Sequence, residues 1–189
     1  IENNKRELIV ASKTKYYPVT LASVFSTINT LDGKVAIIGV PCFIKAIRLA
    51  QCHDPRLKEK IPFLIGIFCG GVKSRFFTEY LSDKAGVKKE NCINPEFRIK
   101  DFNSTANDYS FPCKDKRNNK KCMIKMRTVG DMWGTGLFKA NACDYCDDIT
   151  AELADLSLGD AWIPPFIKDG RGTNIIVTKT SLANKHIKQ

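Results

Sequence analysis

Two short apolar runs, Lys34-Val-Ala-Ile-Ile-Gly-Val40 and Ile61-Pro-Phe-Leu-Ile-Gly-Ile-Phe68, constrain the fold of this chain more than any other feature. Each run is continuous rather than alternating, rich in β-branched residues and too short for a buried helix. That is the pattern of a strand covered on both faces. A helical signal follows each one. Pro41 suits a first helical turn, where its missing N–H would be unpaired anyway, and opens a helix to about Gln51 with Ile44, Ile47 and Leu49 for its apolar face. After the second run, Gly70-Gly71 makes a turn, Ser74 stands as the N-cap of a helix to about Lys84, and Gly86 closes it. A helix over residues 20–31, ended by Asp32-Gly33, precedes the first run. Helix, strand, helix, strand, helix in this order predicts parallel strands in an α/β sheet.

The pattern changes between residues 91 and 132. Segments 96–100, 107–111 and 123–127 read as short, half-exposed strands separated by polar turns, an antiparallel insertion rather than more βα units. Residues 131–140 read as a short helix, and 154–160 and 173–178 return to buried strand character. The expected fold is α/β: a mainly parallel sheet with βα units in the first half and a short antiparallel insertion around 91–132. One domain is expected over 1–189, as the C-terminal portion of a longer chain. No run approaches the roughly 18–20 apolar residues of a membrane span.

Charge narrows the partners. Thirty Lys and Arg against 20 Asp and Glu give a net charge of +10. The densest stretch, Lys114-Asp-Lys-Arg-Asn-Asn-Lys-Lys121, carries asparagines rather than interleaved aromatics, the signature of a hairpin tip and not of a nucleic-acid surface. The excess is read as attraction to an anionic small-molecule cofactor or an acidic partner. Eight cysteines would allow a disulfide framework, but a chain with 43% hydrophobic residues does not need one. A reducing, cytoplasmic setting is expected.

The cysteines carry the chemistry. Cys143 and Cys146, with two residues between them, hold two sulfurs close enough to share a metal ion, a cluster or a disulfide. Cys42 and Cys69 each follow an expected strand, and in a parallel sheet every strand-to-helix turn falls at the same edge. Both are expected at or near a helix N-terminus, whose dipole favours the thiolate. A structural zinc site normally uses two paired knuckles, and only one pair exists here. An iron–sulfur cluster tolerates singletons, because each iron takes one thiolate at its own corner. On the residues alone, zinc, redox disulfide, cluster and plain packing all stay open. Cys52, Cys92, Cys113 and Cys122 read as surface or core thiols.

Other candidates are weaker. Gly70 and Gly71 lead towards a helix and offer backbone N–H groups to a phosphate, although Gly66 through Ser74 departs from the phosphate-loop spacing. Arg98 and Lys100 share one strand face by the period of two and are read either as partners of an anionic cofactor or as solvated surface charges. Asp160, at a strand end after Gly159, either orients a ligand or caps a turn. Trp162 is read as core. His53 and His186 have no catalytic partner nearby in sequence.

Taken in order, Val35-Ala-Ile-Ile-Gly-Val-Pro-Cys-Phe-Ile-Lys-Ala-Ile-Arg48, Ile65-Gly-Ile-Phe-Cys-Gly-Gly71, Phe97-Arg-Ile-Lys100, Cys143-Asp-Tyr-Cys146 and Ala154-Asp-Leu-Ser-Leu-Gly-Asp-Ala-Trp162 resemble the family of coenzyme F-420 hydrogenase/dehydrogenase beta subunits. Thr14-Lys-Tyr16 is similar to the family's Ser-Lys-Tyr element. The resemblance implies an FAD- and iron–sulfur-dependent oxidoreductase in which a 4Fe-4S cluster, a flavin and a redox partner exchange electrons. A deazaflavin takes the hydride in archetypal members. By matching motifs, Cys42, Cys69, Cys143 and Cys146 would be the cluster ligands, and Thr14, Lys15 and Tyr16 would lie near the flavin. The family's Ser-Gly-Gly flavin element and its frequent upstream ferredoxin-like module have no counterpart in this sequence. Some relatives accompany polysaccharide-assembly enzymes, so the family name does not fix the substrate. The alternatives are a non-enzymatic zinc-stabilised domain and a basic interaction module.

Overall fold

The computed structural model describes residues 4–12 and 15–188. Its helices are α1 (Lys5–Ala11), α2 (Ala22–Thr30), α3 (Pro41–His53), α4 (Pro55–Lys60), α5 (Arg75–Lys84) and α6 (Ser181–Ile187). The strands are β1 (Ala36–Gly39), β2 (Phe63–Ile67), β3 (Cys92–Ile93), β4 (Ile99–Lys100), β5 (Tyr109–Asp115), β6 (Lys120–Lys125), β7 (Leu156–Asp160) and β8 (Asn174–Thr178). The chain gathers into two compact units: Ile1–Pro18, Val72–Ala140 and Trp162–Thr173 form one, and Val19–Gly71, Asn141–Ala161 and Asn174–Gln189 the other. Among the described residues no helix is long and apolar enough to cross a membrane.

The second unit is built on a four-stranded sheet of order β1-β2-β7-β8, in which β1, β2 and β7 run parallel and β8 antiparallel. The expected parallel α/β sheet is therefore present. Pro41 is the first residue of α3, and Asp54 caps α4 by accepting the N–H of Arg56 ahead of Pro55. Ile44 and Ile47 of α3 join Ile28, Ile61, Leu64, Ala151 and Ala154 in one buried cluster. Each large aliphatic side chain buried there contributes about 1.5–3 kcal/mol. Two expectations of full burial fail. Ile38 of β1 is 54% exposed, and Ile175, Ile176 and Val177 of β8 all remain accessible. Both strands are edges of the sheet, so each lacks a neighbour on one side.

The first unit contains the expected antiparallel insertion. Strands β3, β4 and β6 all pair with β5, and Phe77, Leu81, Val87, Phe97, Phe111 and Cys113 share its core. The lysine-rich run is the β5–β6 hairpin tip: residues 116–119 form the turn, with Asn119 at φ 55°. Asp115 fixes that turn by accepting the Arg117 N–H at 2.9 Å and its guanidinium at 2.6 Å. Ser74 takes the N-cap position of α5 but makes no side-chain cap bond. Gly86, at φ 82°, ends that helix as expected. Residues 131–140 form turns, not a helix. The carboxylate of Asp131 accepts the N–H groups of Trp133 and Gly134, and Gly136 and Phe138 take left-handed conformations that a helix forbids.

Candidate functional site

The four cysteines singled out above all belong to the parallel-sheet unit. Cys42 is the second residue of α3, and Cys69 lies two residues past β2. Cys143 belongs to the 3-10 turn Asn141–Tyr145, with Cys146 just beyond it. Burial is the chief cause that lifts the Cys42 thiol above its usual range; the N–H groups of Phe43 and of Cys42 itself pull it down, and the charges of Cys143 and Cys146 push it up. The Cys69 thiol is raised by burial first; the Gly71 N–H lowers it, and Cys42, Cys143 and Cys146 raise it further. Sulfurs from three separate stretches of chain are thus close enough to feel one another's charge.

The electrostatics differ from expectation in two ways. Cys42 does receive helix N-terminal N–H groups, but burial outweighs them. Cys69 is not at a helix start, since α5 begins only at Arg75; its N–H instead donates to Ile149 O at 3.0 Å. The glycines explain this. Gly71 is at φ 129° and turns its N–H back onto the Cys69 sulfur, which keeps residues 69–74 in a loop.

A built turn follows the cysteine pair. Ala151 is wholly buried at φ 54°, a left-handed conformation that costs an alanine about 1–2 kcal/mol. Surrounding contacts hold it there. The Lys179 ammonium donates to Thr150 O and Ala151 O, each at 2.7 Å, and to Ser157 Oγ at 2.6 Å. The buried Asp148 carboxylate accepts the Glu152 N–H at 3.1 Å, and the Cys146 thiol donates to Asp148 O at 3.4 Å. Gly66 of β2 leaves the space that the Ala151 methyl fills. Arg48 of α3 donates to Leu153 O at 2.9 Å and to Asp155 at 3.0 Å, while Asp155 also accepts the Leu64 N–H at 2.8 Å. Burial lowers the Lys179 ammonium from its usual value, and Asp148 and Glu152 partly restore it.

One further tie reaches the pair from α3. Lys45, one turn beyond Cys42, contacts Asp147 at 2.6 Å, next to Cys146. Both side chains are largely exposed, so this pair orients more than it stabilises. Lys179, Asp148, Arg48 and Ala151 were not found by sequence reasoning. The doubled aspartate after Cys146 and a lysine ending an apolar strand were the available signals.

The remaining candidates divide between the units. Gly70, Gly71 and Asp160 belong to the parallel-sheet unit; Lys15, Tyr16, Arg98 and Lys100 belong to the other. Thr14 lies outside the described residues. Tyr16 packs edge-on against Trp133, Phe97 and Phe77, with ring centroids 4.9, 5.4 and 5.9 Å away. Arg98 and Lys100 do not share a strand face: Arg98 precedes β4 at φ 56°, which breaks the alternation. The Arg98 guanidinium lies 5.4 Å from each of the Tyr109 and Trp162 rings, and Lys100 donates to Arg171 O. Trp162, expected in the core, is 44% exposed and serves as one of these stacking faces. Lys73 is not available to a phosphate, because its buried ammonium donates to Met132 O and Leu137 O under the Trp133 ring. Asp160 ends β7 opposite Asn174, after a Gly159 whose missing side chain makes room for the Phe68 ring.

The donor set can be compared with the groups it would hold. Among the described residues, no three His, Cys, Asp or Glu side chains are grouped to hold one metal ion. A tetrahedral zinc with bonds of about 2.3 Å needs its sulfurs roughly 3.8 Å apart. Four thiols that sense one another's charge supply the number of sulfurs that either a zinc ion or a four-iron cluster would take.

Fold and site together describe an α/β protein with a mostly parallel sheet and four cysteines that are electrostatic neighbours in one unit. The family model for the C terminus of the coenzyme F420 hydrogenase/dehydrogenase beta subunit matches residues 32–189, and the chain belongs to that family, one of oxidoreductase subunits. It is 28% identical over 198 residues to a coenzyme F420-dependent sulfite reductase of Methanocaldococcus jannaschii, covering 95% of this chain and 27% of that protein. It is 25% identical over 164 residues to the coenzyme F420 hydrogenase beta subunit of Methanothermobacter thermautotrophicus, covering 82% of this chain and 49% of the relative. A chain in the solved F420-reducing NiFe hydrogenase complex from Methanosarcina barkeri shares the fold, with a TM-score of 0.62, 21% identity, and coverage of 97% of this chain and 57% of that one. The chain spans less than half the length of these curated relatives.

Proposed function

We propose that this chain is part of a cytoplasmic oxidoreductase that relays electrons between FAD and a 4Fe-4S cluster, with Cys42, Cys69, Cys143 and Cys146 as the cluster ligands. One observation carries the reading: thiols from α3, the β2 loop and the 143–146 segment are mutual electrostatic neighbours in one unit. When bound, a flavin supplies two-electron hydride chemistry and a cluster single-electron transfer. The chain's own residues position and shield. Gly71 aims an N–H at the Cys69 sulfur, and the N–H groups of Cys42 and Phe43 do the same for Cys42. Such bonds favour the thiolate that ligation requires. Lys179, Asp148 and the Arg48–Asp155 pair fix the turn after Cys146.

In the other unit Lys15 and Tyr16, backed by the Trp133, Phe97 and Phe77 rings, and Arg98 and Lys100 are the groups offered to the anionic cofactor. A deazaflavin or another small molecule is the hydride partner, and a redox protein or a ferredoxin-like module delivers or collects single electrons. The family relationship and the relatives' names support this reading.

Anaerobic reconstitution with iron and sulfide tests it. The expected product absorbs broadly near roughly 400 nm, bleaches with dithionite and contains iron and sulfide in equal amounts. Replacing any of the four cysteines by serine is expected to remove or weaken that band while leaving the far-ultraviolet spectrum unchanged. One equivalent of zinc with no colour overturns the reading and favours a zinc-stabilised domain.

A further inference from the structure

The antiparallel insertion holds three more cysteines, which the electron-relay reading does not use. Cys113 of β5 is 1% exposed, and Cys92 and Cys122 are half-buried and packed against the same core. Cys122 is the direct cross-strand partner of Cys113. Pro112 O accepts the Glu96 N–H, and the Lys116 N–H donates to Asn91 O, so even-numbered residues of β5 turn their backbone groups towards β3 and β4. Cys113 therefore turns its own towards β6 and makes a hydrogen-bonded pair with Cys122. Such pairs have Cα atoms about 5.5 Å apart, inside the range of about 4.4–6.8 Å that a disulfide spans. Cys92 pairs with Asp115, two residues along the strand from Cys113. That diagonal sets the Cα atoms roughly 7–8 Å apart, so the two thiols meet but a bond between them would have to move the backbone. The Cys92 thiol hydrogen-bonds to Cys113, and Ser82 contacts it from α5.

We propose that Cys113 and Cys122 form a dithiol–disulfide site whose oxidant is a low-molecular-weight disulfide. Cys122, the accessible member, attacks first. Its thiolate displaces one half of the small disulfide, RSSR, breaking that S–S bond, forming a mixed disulfide and releasing one RSH after protonation. Cys113 then gives up its proton and attacks the Cys122 sulfur, forming the cross-strand bond and releasing the second RSH. Two protein thiols are oxidised and one small disulfide is reduced to two thiols. Burial, with the Cys92 and Cys122 sulfurs beside it, pushes the Cys113 thiol up to about 12, so it waits as a neutral thiol and resolves rather than initiates. Closing the bond draws the two Cβ atoms inward by roughly 1 Å from a usual cross-strand separation, which makes it readily reducible. The hairpin then exists in two covalent states.

The site is tested independently of the cluster, because each thiol lies on its own tryptic peptide: Glu90–Arg98, Asp101–Lys114 and Cys122–Lys125. The full chain is incubated anaerobically with bis(2-hydroxyethyl) disulfide, quenched with iodoacetamide, digested and examined by mass spectrometry. The expected product is Asp101–Lys114 joined to Cys122–Lys125, released by dithiothreitol. Cys92→Ser retains this link. Cys122→Ser abolishes it without passing it to Cys92, and Cys113→Ala leaves the mixed disulfide stranded on Cys122. A link from Cys113 to Cys92, or a wild-type chain whose Cys122 stays capped with no cross-link, overturns the proposal.

Discussion

Replacing Gly66 by alanine separates a turn held by packing from one that merely follows a ligand motif. A Cβ at Gly66 would lie 2.3 Å from Ala151 Cβ, 3.0 Å from Ser157 Oγ and 3.1 Å from Ala154 Cβ. Two carbons prefer roughly 3.5–4.0 Å, so the first contact is a hard clash. Neither side yields easily. β2 lies between β1 and β7, and Ala151 is tied through its carbonyl to Lys179. Overpacking of this kind costs about 1–3 kcal/mol, and the upper end is expected here. For a chain of this size, about 3 kcal/mol lowers the thermal midpoint by roughly 6–12 °C. Ala151→Gly supplies the control. It loses a buried methyl, about 0.8 kcal/mol, and relieves a left-handed alanine worth about 1 kcal/mol, for little net change. Combined with Gly66→Ala it removes the clash, and the double variant is expected to recover about 1.5–2 kcal/mol of the loss. Recovery stays incomplete because the Ser157 and Ala154 contacts remain. Urea or thermal unfolding of the four proteins gives the cycle. A Gly66→Ala chain within about 0.5 kcal/mol of the parent, or a double variant no better than Gly66→Ala, refutes the packing argument.

Lys179→Met keeps the length of the side chain but leaves Thr150 O and Ala151 O without their ammonium donor. It is expected to cost about 2–4 kcal/mol in urea unfolding, and an unchanged midpoint contradicts the role assigned to that lysine. Acid sensitivity has an identifiable source in the insertion unit. Asp101 is held below its usual 3.8 by Lys125, and Asp108 by Ser104 and then Lys125. Their folded values lie below the unfolded one, so the stability they contribute is fully present above pH 3.8 and is lost as the pH falls through the folded values. The stability gap between Asp108→Asn and the parent is therefore expected to hold above about pH 4 and to narrow as the pH falls below it, and a constant gap contradicts it.

Sequence and structure agree where a local pattern has one physical outcome. Pro41 after an apolar run starts a helix, Gly86 ends one, and the Lys114–Lys121 stretch makes a hairpin tip, because backbone constraint and turn chemistry decide each within a few residues. Disagreement arises where a neighbour in space decides. The run at 34–40 reads as buried on both faces, yet β1 is an edge strand; composition records apolarity but not sheet order. Residues 131–140 read as a short helix, and Asp131 diverts them by capping its own backbone. That Cys42, Cys69, Cys143 and Cys146 come near one another was legible because pair spacing and strand-end placement are both local. Lys179 was not, since its partners lie 22–29 residues away and meet it only through the β7–β8 pairing.

That division bears on how the cysteine site is held. In small zinc domains, metal binding and folding are one event, because little else is buried. Here the buried cluster of the parallel-sheet unit is aliphatic and includes none of the four cysteines. The ties that place the site, Arg48 to Asp155, Asp155 to the Leu64 N–H, and Lys179 to Thr150 and Ala151, run through other side chains and backbone. Cys42 and Cys146 are exposed, and Tyr145 between the paired cysteines is 90% exposed, so the sulfurs lie on the rim of a packed frame. Charge on any of these sulfurs disfavours charge on Cys42 and Cys69, so the packed frame, and not attraction among the thiols, holds the group together. Loss of a cysteine and loss of the fold are therefore separable here, and the serine variants test whether the sulfurs hold a cluster.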